Sequence, residues 1–371
     1  MKNHLTIIGG GLAGWAAAAA FAESDYIIDI FEGENSNFGS QQISPNGWLA
    51  LSNLIEIEKI QPFFEPFNTL QIKSLKSENN LEILSNLNLV KKNPNYGSIE
   101  RKSIVKILKN FALKNNSIKI HSSKIEHIYS KNETNQILDS KGNVFESKFL
   151  IGADGINGIS RRFVIGSNHT IKSKKIFRAI SFEKEPYQLS KNLLQLIIVS
   201  NGHFVIYPTI INGKKATNYI FVPSNNKILP PIINNQILKY LIPNNIKWKE
   251  ILSSRNKGEN ITIHKQGVFL IGESSIPMPP HVAQAGNQIL EDAAFIKKSL
   301  VQNNNFNQMV SSFIKKRYKQ KDIIAKKSIS IGDILGAKKL IGDLRNLSLK
   351  AIGPDILNSV SNPIWNSKNY E

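Results

Sequence analysis

Short apolar runs alternate with polar, turn-forming stretches along the chain. Leu5 to Ile8 is a continuous apolar run, which is typical of a parallel strand buried on both faces. The alanine-rich stretch from Ala13 to Ala22 favours a helix, and Tyr26 to Phe31 is a second apolar run. This order predicts a strand–helix–strand unit with two parallel strands near the N-terminus.

Two later apolar runs also end in small and acidic residues. Phe149 to Gly152 leads into Asp154-Gly155, and Val268 to Ile271 leads into Gly272-Glu273. A tight turn is the simpler interpretation of the Asp-Gly pair. Because ligands of parallel sheets bind at the carboxyl ends of strands, we favour a second phosphate or ribose contact at Asp154.

The segment from 171 to 257 has a different pattern. Short β-type runs alternate there with turns rich in Asn, Gly and Pro, which predicts an antiparallel sheet. The predicted strands are Arg178 to Phe182, Leu193 to Val199, His203 to Tyr207 and Asn218 to Val222. His203 and Tyr207 share one face of their strand by the period of two, and a structural role is the simpler interpretation of both side chains.

The remaining stretches predict both strands and helices. The pattern of Leu70 to Lys92 predicts strands, with turns at Asn79-Asn80 and at Asn86. Helices are expected over Trp48 to Leu54, Ile99 to Leu108 and Gln288 to Leu300, and helices dominate from Phe306 to Arg345, before a tail rich in Pro, Trp and Asn. Arg101 begins its helix, where a cation opposes the dipole, so it needs an anionic or polar partner; a surface ion pair is the alternative.

The turn after the first strand carries the chemistry of a dinucleotide site. Gly9-x-Gly11-x-x-Gly14 follows the strand and opens the helix, and Glu32 ends the second strand. The glycines permit a tight turn, close approach of a pyrophosphate and helix–strand contact, while the acid accepts hydrogen bonds from ribose hydroxyls. An acid at this position fits FAD or NAD better than NADP.

Charge and composition exclude several kinds of functional site. The 371-residue chain carries 47 basic and 28 acidic residues, a net charge of +19, and has no cysteine. Disulfides, thiolate metal ligands and cysteine nucleophiles are therefore excluded, and the seven histidines show no metal-ligand spacing. A net charge this positive is typical of nucleic-acid-binding proteins. The basic residues are scattered along the chain, however, so we expect a solvated basic surface and no nucleic-acid partner.

An export signal is the competing interpretation of the N-terminus. Lys2, the apolar stretch and Ala20-Phe21-Ala22 have the outline of a signal peptide. Three consecutive glycines interrupt its apolar part, so we expect a cytoplasmic protein.

Four motifs, in this order, resemble those of the single-component FAD-dependent aromatic monooxygenases. They are the glycine motif with Glu32, Arg101 at a helix start, Gly152-Ala153-Asp154-Gly155, and Gly272-Glu273 followed by Pro277-x-x-Pro280. Within that family the chain is most similar to the salicylate hydroxylase and 3-hydroxybenzoate 6-hydroxylase group, through Ser44-Pro45-Asn46, His203-x-x-x-Tyr207-Pro208, Ala283-Gln284 and Leu344-Arg345-Asn346.

The resemblance implies which residues bind FAD. The loop Gly9, Gly11, Leu12, Ala13 and Gly14, with Glu32, would hold the ADP half. The other implied contacts are Arg101 at the phosphate–ribityl region, Asp154 and Gly155 indirectly at the pyrophosphate, Gly272 and Glu273 at a ribityl hydroxyl, Pro280 at the isoalloxazine ring, and Gly286 and Asn287 at the flavin N1–C2=O edge. Helix-start N–H donors there would also stabilise reduced, anionic flavin.

The resemblance also implies a reaction. NADH or NADPH reduces FAD, oxygen forms a C4a-hydroperoxide, and one oxygen atom is transferred to an electron-rich ring. His203 is the candidate base, and Tyr207 and Gln284 would orient the ring. The expected partners are therefore a small phenolic or benzoate-like substrate, O2 and NAD(P)H, with no metal.

Three positions depart from the family pattern. The usual Gly-Asp is Gly272-Glu273, the usual His before the proline loop is Ile276, and the usual Gln-Gly-Ala-Asn is Gln284-Ala285-Gly286-Asn287. Two alternatives stay open within flavoproteins: a ubiquinone-biosynthesis hydroxylase acting near a membrane surface, and a flavin-binding protein without hydroxylase activity.

The predicted fold class is α/β. A Rossmann-like FAD-binding domain comprises residues 1–68, 96–168 and 258–330. It is interrupted by a substrate domain of residues 69–95 and 169–257, which contains the antiparallel sheet. A helical C-terminal segment follows at 331–371.

Overall fold

A computed structural model describes most of the chain. The described residues are 3–33, 37–77, 80–90, 95–131, 133–166, 171–182, 192–224, 235–256, 261–302 and 305–365. The fold is mixed α/β, with several sheets and a helical C-terminal section, as the sequence predicts.

The first sheet contains the predicted strand–helix–strand unit. Its strands, in spatial order, are β18 (His264–Lys265), β19 (Val268–Leu270), β12 (Phe149–Gly152), β1 (His4–Ile8), β2 (Ile27–Phe31) and β8 (Ile118–His121). All neighbours are parallel except the edge pair β18 and β19. Leu5 and Ile7 are fully buried, which explains the uninterrupted apolar run.

The second sheet has seven strands and comes mainly from the predicted antiparallel region. Its order is β17 (Lys249–Asn256), β13 (Ile171–Ser181), β16 (Lys214–Pro223), β15 (Gly202–Ile211), β14 (Leu193–Val199), β5 (Thr69–Ser77) and β6 (Asn80–Asn88). The strands from 171–257 pair antiparallel, as predicted, whereas β5 from the earlier segment joins β14 in parallel. The turn predicted at Asn86 is wrong, since Asn86 pairs with Gln71 inside the β5–β6 hairpin.

Two three-stranded sheets complete the β-structure. One contains β9 (Ile125–Lys131), β10 (Thr134–Asp139) and β11 (Val144–Ser147); the other contains β3 (Ser40–Ile43), β7 (Gly97–Glu100) and β4 (Phe64–Pro66). The second of these brings β3 close to the start of a long helix, where Gln42 and Asn287 are hydrogen-bonded.

The helices follow the predicted periodicity with shifted ends. They are α1 (Leu12–Ala20), α2 (Pro45–Leu54), α3 (Arg101–Ala112), α4 (Ile159–Ile165), α5 (Gln236–Leu241), α6 (Gly272–Ser275), α7 (Ala285–Val301), α8 (Phe306–Ser312), α9 (Lys319–Leu335) and α10 (Lys339–Trp365). A π-helical turn, Phe313–Tyr318, joins α8 to α9, and Ile57–Lys59, Gln61–Phe63 and Pro280–Val282 are 3₁₀ turns.

The C-terminal segment is helical over its described residues, as the sequence predicts for 331–371. Helix α10 continues into the tail rich in Pro, Trp and Asn, with Pro354 and Pro363 inside it and a kink at Ile352. The two prolines follow non-helical backbone or approach the helix end, where a missing N–H costs least. Among the described residues, no helix is both long and apolar enough to cross a bilayer.

Candidate active site

The glycine motif forms a turn too crowded for any side chain. Gly9 has a φ of +117°, and a Cβ there would lie 2.5 Å from the carbonyl oxygen of Ala153. A Cβ on Gly14 would lie 1.8 Å from the carbonyl oxygen of Gly9. The ends of β1 and β12 therefore meet against the first turn of α1, with Gly11 as its N-cap. This is the backbone geometry that a pyrophosphate site on a helix N-terminus requires.

Glu32 lies at the same edge and is held by two donors. Its Oε1 accepts a hydrogen bond from Trp15 Nε1 at 2.6 Å, and its Oε2 pairs with Lys109 Nζ at 2.7 Å. A Cβ on Gly10 would lie 2.4 Å from Glu32 Cγ, so the carboxylate packs against the glycine turn. Each oxygen keeps a second lone pair for the predicted ribose contact.

Asp154 is engaged with the protein rather than free. It accepts hydrogen bonds from Ser160 N at 3.0 Å, from the Ser160 hydroxyl, and from Ser274 Oγ at 3.3 Å. Gly155 N also donates to Ser274 Oγ at 2.8 Å. Burial raises the pKa of Asp154 in spite of these donors. The carboxylate ties the end of β12 to α4 and α6, and its indirect role at a pyrophosphate stays a prediction.

The third strand end places Gly272 beside the glycine turn. Gly272 has a φ of +59°, and a Cβ there would lie 2.8 Å from Cβ of Ala13. Lys321 Nζ donates to the Gly272 carbonyl at 3.0 Å, while Asp292 Oδ2 accepts from Gly272 N at 3.3 Å. Glu273, the next residue, is exposed. Its extra methylene is therefore accommodated at the surface, and its contact with a ribityl hydroxyl stays a prediction.

The start of α7 is fixed by the side chain of Asn287, which is hydrogen-bonded to the backbone of β3 and its neighbours. Asn287 donates to the carbonyls of Ala283 at 2.7 Å and Gln42 at 3.2 Å, and accepts from Ser44 N at 3.1 Å. A Cβ on Gly286 would lie 2.8 Å from Gln41 Oε1. The shifted glycine of the family motif is thus the residue that lets β3 approach the helix start.

Gln284 does not lie on the wall of the cavity described below. It is fully buried, its Oε1 accepts from Asn46 and Gln288 at 2.9 Å, and its Nε2 donates to Ser44 Oγ at 2.8 Å. These contacts engage both ends of the amide. Its predicted contact with the substrate ring has no support from this placement, and its side chain instead positions the start of α7.

A cavity of about 480 Å³ lies between one face of the seven-stranded sheet and helices α9 and α10. It brings together the predicted residues Arg101, His203, Tyr207, Pro280 and Gly286. His203 and Tyr207 share the face with Val205, as the alternation predicts. The glycine turn, Glu32, Asp154 and Glu273 lie outside this lining.

Two histidines face each other in the cavity wall. The rings of His203 and His281 are 5.6 Å apart between centroids. Burial lowers the pKa of His203 to about 3, and that of His281 to about 4, and Lys174 further disfavours the charged form of each. Both imidazoles are therefore neutral near pH 7 and can exchange hydrogen bonds with a polar ligand.

Sequence analysis missed Arg178 as a site residue and named it only as the start of a strand. It lines the cavity from β13, opposite Ile220 of β16. Burial, followed by the nearby Arg101, lowers the pKa of Arg178 to about 10, so it remains cationic at neutral pH. The signal was available: Arg178 stands two residues from Ile176 and Ile180, on the same face of a β-strand.

The polar corner of the cavity offers donors without acceptors. Within the described part of the chain, Gln41 Nε2, Arg101 Nε, and Nε and Nη1 of Arg178 are buried without a hydrogen-bond partner. Buried donors left unpaired are costly, so this corner is built for an acceptor-rich group. The phosphates and the pyrimidine edge of FAD are such groups, and the residues present fit this cofactor. No set of three or more potential metal ligands occurs among the described residues.

Sequence relatives are FAD-dependent enzymes. The FAD-dependent monooxygenase esdpE of Penicillium shearii is 23% identical over 348 residues, covering 81% of this chain and 69% of the relative. The 3-hydroxybenzoate 6-hydroxylase of Klebsiella oxytoca is 22% identical over 320 residues, covering 80% of this chain and 79% of that protein. No family model matches the chain.

Solved structures share the fold. HpxO of Klebsiella pneumoniae, crystallised with FAD and uric acid, superposes with a TM-score of 0.82 at 15% identity, over 99% of this chain and 97% of HpxO. The 2,6-dihydroxypyridine-3-hydroxylase of Arthrobacter nicotinovorans gives 0.71 at 15% identity, over 91% and 93%. Together with the sequence relatives, these confirm the resemblance to the FAD-dependent aromatic monooxygenases and the enzyme class expected from it.

Proposed function

We propose that this chain is an FAD-dependent monooxygenase that uses NAD(P)H and O2 to hydroxylate a phenolic or benzoate-like aromatic ring. One observation carries the proposal: the cavity joins an unpaired set of donors, beside Pro280 and the start of α7, to the sheet face that bears His203 and Tyr207. An acceptor-rich cofactor fits the first part, and an aromatic substrate fits the second.

The residues that would hold FAD follow the strand ends. The glycine turn and the start of α1 would take the pyrophosphate, with Glu32 at the adenosine ribose. Arg101 would meet the phosphate–ribityl region, and the N–H groups of Gly286 and Asn287 would face the flavin pyrimidine edge. Glu273 would reach a ribityl hydroxyl from the exposed turn of α6. Asp154 and Gly155 would support this arrangement through Ser160 and Ser274.

When bound and reduced by NAD(P)H, FAD would supply the electrons that activate O2 for transfer of one oxygen atom to the ring. The net reaction consumes the aromatic compound, NAD(P)H, O2 and one proton, and yields the hydroxylated ring, NAD(P)⁺ and water. The protein positions the ring and excludes water from it.

His203 and Tyr207 would act on the substrate hydroxyl. The neutral imidazole of His203 accepts a hydrogen bond from a phenol, and a forming phenolate beside it would raise the pKa of that imidazole and favour proton uptake. Tyr207, whose pKa is raised by burial, stays protonated and donates its hydroxyl proton to the Ser40 carbonyl oxygen at 3.3 Å, so its own oxygen would accept from the substrate. Arg178 adds positive potential, which favours the ionised and more electron-rich form of the ring.

The test is substrate-stimulated NAD(P)H oxidation by the FAD-loaded protein, with the hydroxylated product measured in parallel. We expect His203→Gln to retain FAD and to lower product formation by about 10²-fold or more, the usual contribution of a positioned proton-transfer group. His127→Gln, at an exposed position of β9, is the control. Retained FAD with no product from any phenol or benzoate would reject hydroxylation, and an unchanged rate and pH profile in His203→Gln would reject the role of that residue.

A further inference from the structure

We propose that the substrate is an aromatic compound with an extended aliphatic substituent, rather than a bare hydroxybenzoate. This inference rests on the proposed function and deepens it. The ring would lie near Arg178 and Tyr207, and the aliphatic chain would lie between the sheet and helices α9 and α10.

The sheet face under the cavity is polar at one side only. The register places Ile72, Leu196, Val205, Ile220 and Arg178 side by side on β5, β14, β15, β16 and β13. Since neighbouring strands are about 4.8 Å apart, the four steps of this row span about 19 Å. Arg178 ends the row on one side and Ile72 on the other. The floor of the cavity therefore changes from cationic to aliphatic along its length.

The adjacent row continues the aliphatic side. Leu70 of β5 and Leu194 of β14 pair with each other on the side of Ile72, and both line the cavity. Tyr207 of β15 and Asn218 of β16 pair on the side of Arg178, followed by Ile180 of β13. The aliphatic end of the floor therefore extends over two rows.

The opposite wall is aliphatic where the floor is aliphatic. Leu335 of α9 and Leu349 of α10 line the cavity and belong to one apolar cluster with Ile72 and Ile198. Arg345, a cation that lines this end, donates its Nη1 to the carbonyls of Ile334, Leu335 and Ala337, so its guanidinium caps the end of α9.

An aliphatic wall of this extent selects an aliphatic ligand. It offers almost nothing to the carboxylate of a small acid or to ordered water, whereas each methylene buried there tightens binding by about fourfold. A phenol with a linear chain would place its hydroxyl on the face that bears His203 and Tyr207, and its chain along the aliphatic side of the two rows. Longer chains should bind more tightly until the aliphatic end is filled.

The test is calorimetric titration of the FAD-loaded protein with 4-methylphenol, 4-butylphenol, 4-hexylphenol and 3-hydroxybenzoate. We expect affinity to rise by about fourfold per added methylene, with an increasingly negative heat-capacity change. Leu349→Trp, which fills the aliphatic end, should weaken 4-hexylphenol at least tenfold and leave 4-methylphenol unchanged. Leu347→Trp, at an exposed position of the same helix, is the matched control and should change neither.

The comparison of phenols of different chain length uses the unaltered protein, so it tests the inference even if Leu349→Trp misfolds. Equal affinity for methyl, butyl and hexyl phenols would overturn the inference, as would tighter binding of 3-hydroxybenzoate than of 4-hexylphenol. An affinity that rises with chain length, without any hydroxylated product, would reject the proposed reaction and support the binding inference. Efficient hydroxylation of 3-hydroxybenzoate, with an affinity that does not rise with chain length, would support the proposed reaction and reject the binding inference.

Discussion

At the scale of single residues, the glycine turn leaves no space for a side chain. We expect Gly14→Ala to destabilise the protein by at least about 2 kcal/mol and to abolish FAD retention, because its Cβ would lie 1.8 Å from the Gly9 carbonyl oxygen. Urea unfolding and the flavin content of purified protein measure the two effects. Gly33→Ala is the matched control, since its Cβ would approach only Lys124 at 3.9 Å. Normal flavin content in Gly14→Ala would contradict the placement of the pyrophosphate at this turn.

The paired histidines give the protein a defined acid sensitivity. The pKa of His203 falls from 6.5 to about 3 on folding, so the unfolded chain binds the extra proton between these values and stability falls as pH falls through that window. Well below pH 6.5, His203 alone removes about 1.4 kcal/mol of unfolding free energy per pH unit. His281, with a pKa lowered to about 4, acts in the same direction.

Urea unfolding at a series of pH values measures this sensitivity. His203→Gln should flatten the loss of stability between pH 6.5 and 5, while His127→Gln should leave the slope as it is. If the slope is the same in His203→Gln and in the unaltered protein, the imidazole of His203 is not held neutral by burial.

Sequence patterns identified some site residues and missed others for a physical reason. The glycine turn and Glu32 were predictable, because their roles depend on local backbone and strand ends. For Arg178, alternation with Ile176 and Ile180 indicates its face of the strand, but only the folded sheet shows that this face lines the cavity beside β15 and α3. Gln284 shows the opposite case: its motif suggested substrate contact, but Asn46 and Ser44 engage its amide from another part of the chain.

At the scale of elements, the π-helical turn before α9 holds a buried arginine that pairs with acidic residues of α7. Arg317 is fully buried and pairs with Glu291 and Asp292 of α7 at 3.0 Å each, and it donates to Gln288 Oε1 at 2.6 Å. Gln288 in turn donates to Gln284, so the network extends to the start of α7. The C-terminal helices are therefore fixed to the helix that would face the flavin.

We expect Arg317→Met to cost about 3 to 5 kcal/mol, because it leaves Glu291 buried without its cation and Asp292 with Lys321 alone. Chemical denaturation measures the loss. Lys326→Ala, which breaks the exposed pair with Asp322, should cost at most about 1 kcal/mol. A similar small cost for both substitutions would show that the network does not anchor the C-terminal helices.

Whether a segment forms a helix or a strand was predictable where its apolar residues recur with a clear period. Which strands pair with each other was not predictable. The parallel strands and α7 follow from local patterns of apolar residues. The parallel contact of β5 with β14 joins segments more than a hundred residues apart, and nothing in either strand specifies its partner. The extension of α10 to Trp365 depends on packing of Leu349 and Leu357 against the sheet, which overrides the prolines.

At the scale of the whole molecule, we propose that FAD would bind between the ends of the parallel strands and the cavity on the seven-stranded sheet. The division of the chain into an FAD-binding domain, a substrate domain and a C-terminal segment stays a prediction. The positive net charge would attract anionic ligands such as NAD(P)H over long distances, an effect that salt screens.

The central claim is that this site holds FAD, and the visible spectrum of the purified protein tests it most directly. We predict that protein incubated with FAD and then desalted retains the flavin absorption bands at about one flavin per chain, and that Arg101→Ala retains much less. A protein that retains no flavin at any FAD concentration, while remaining folded by circular dichroism, would contradict the account.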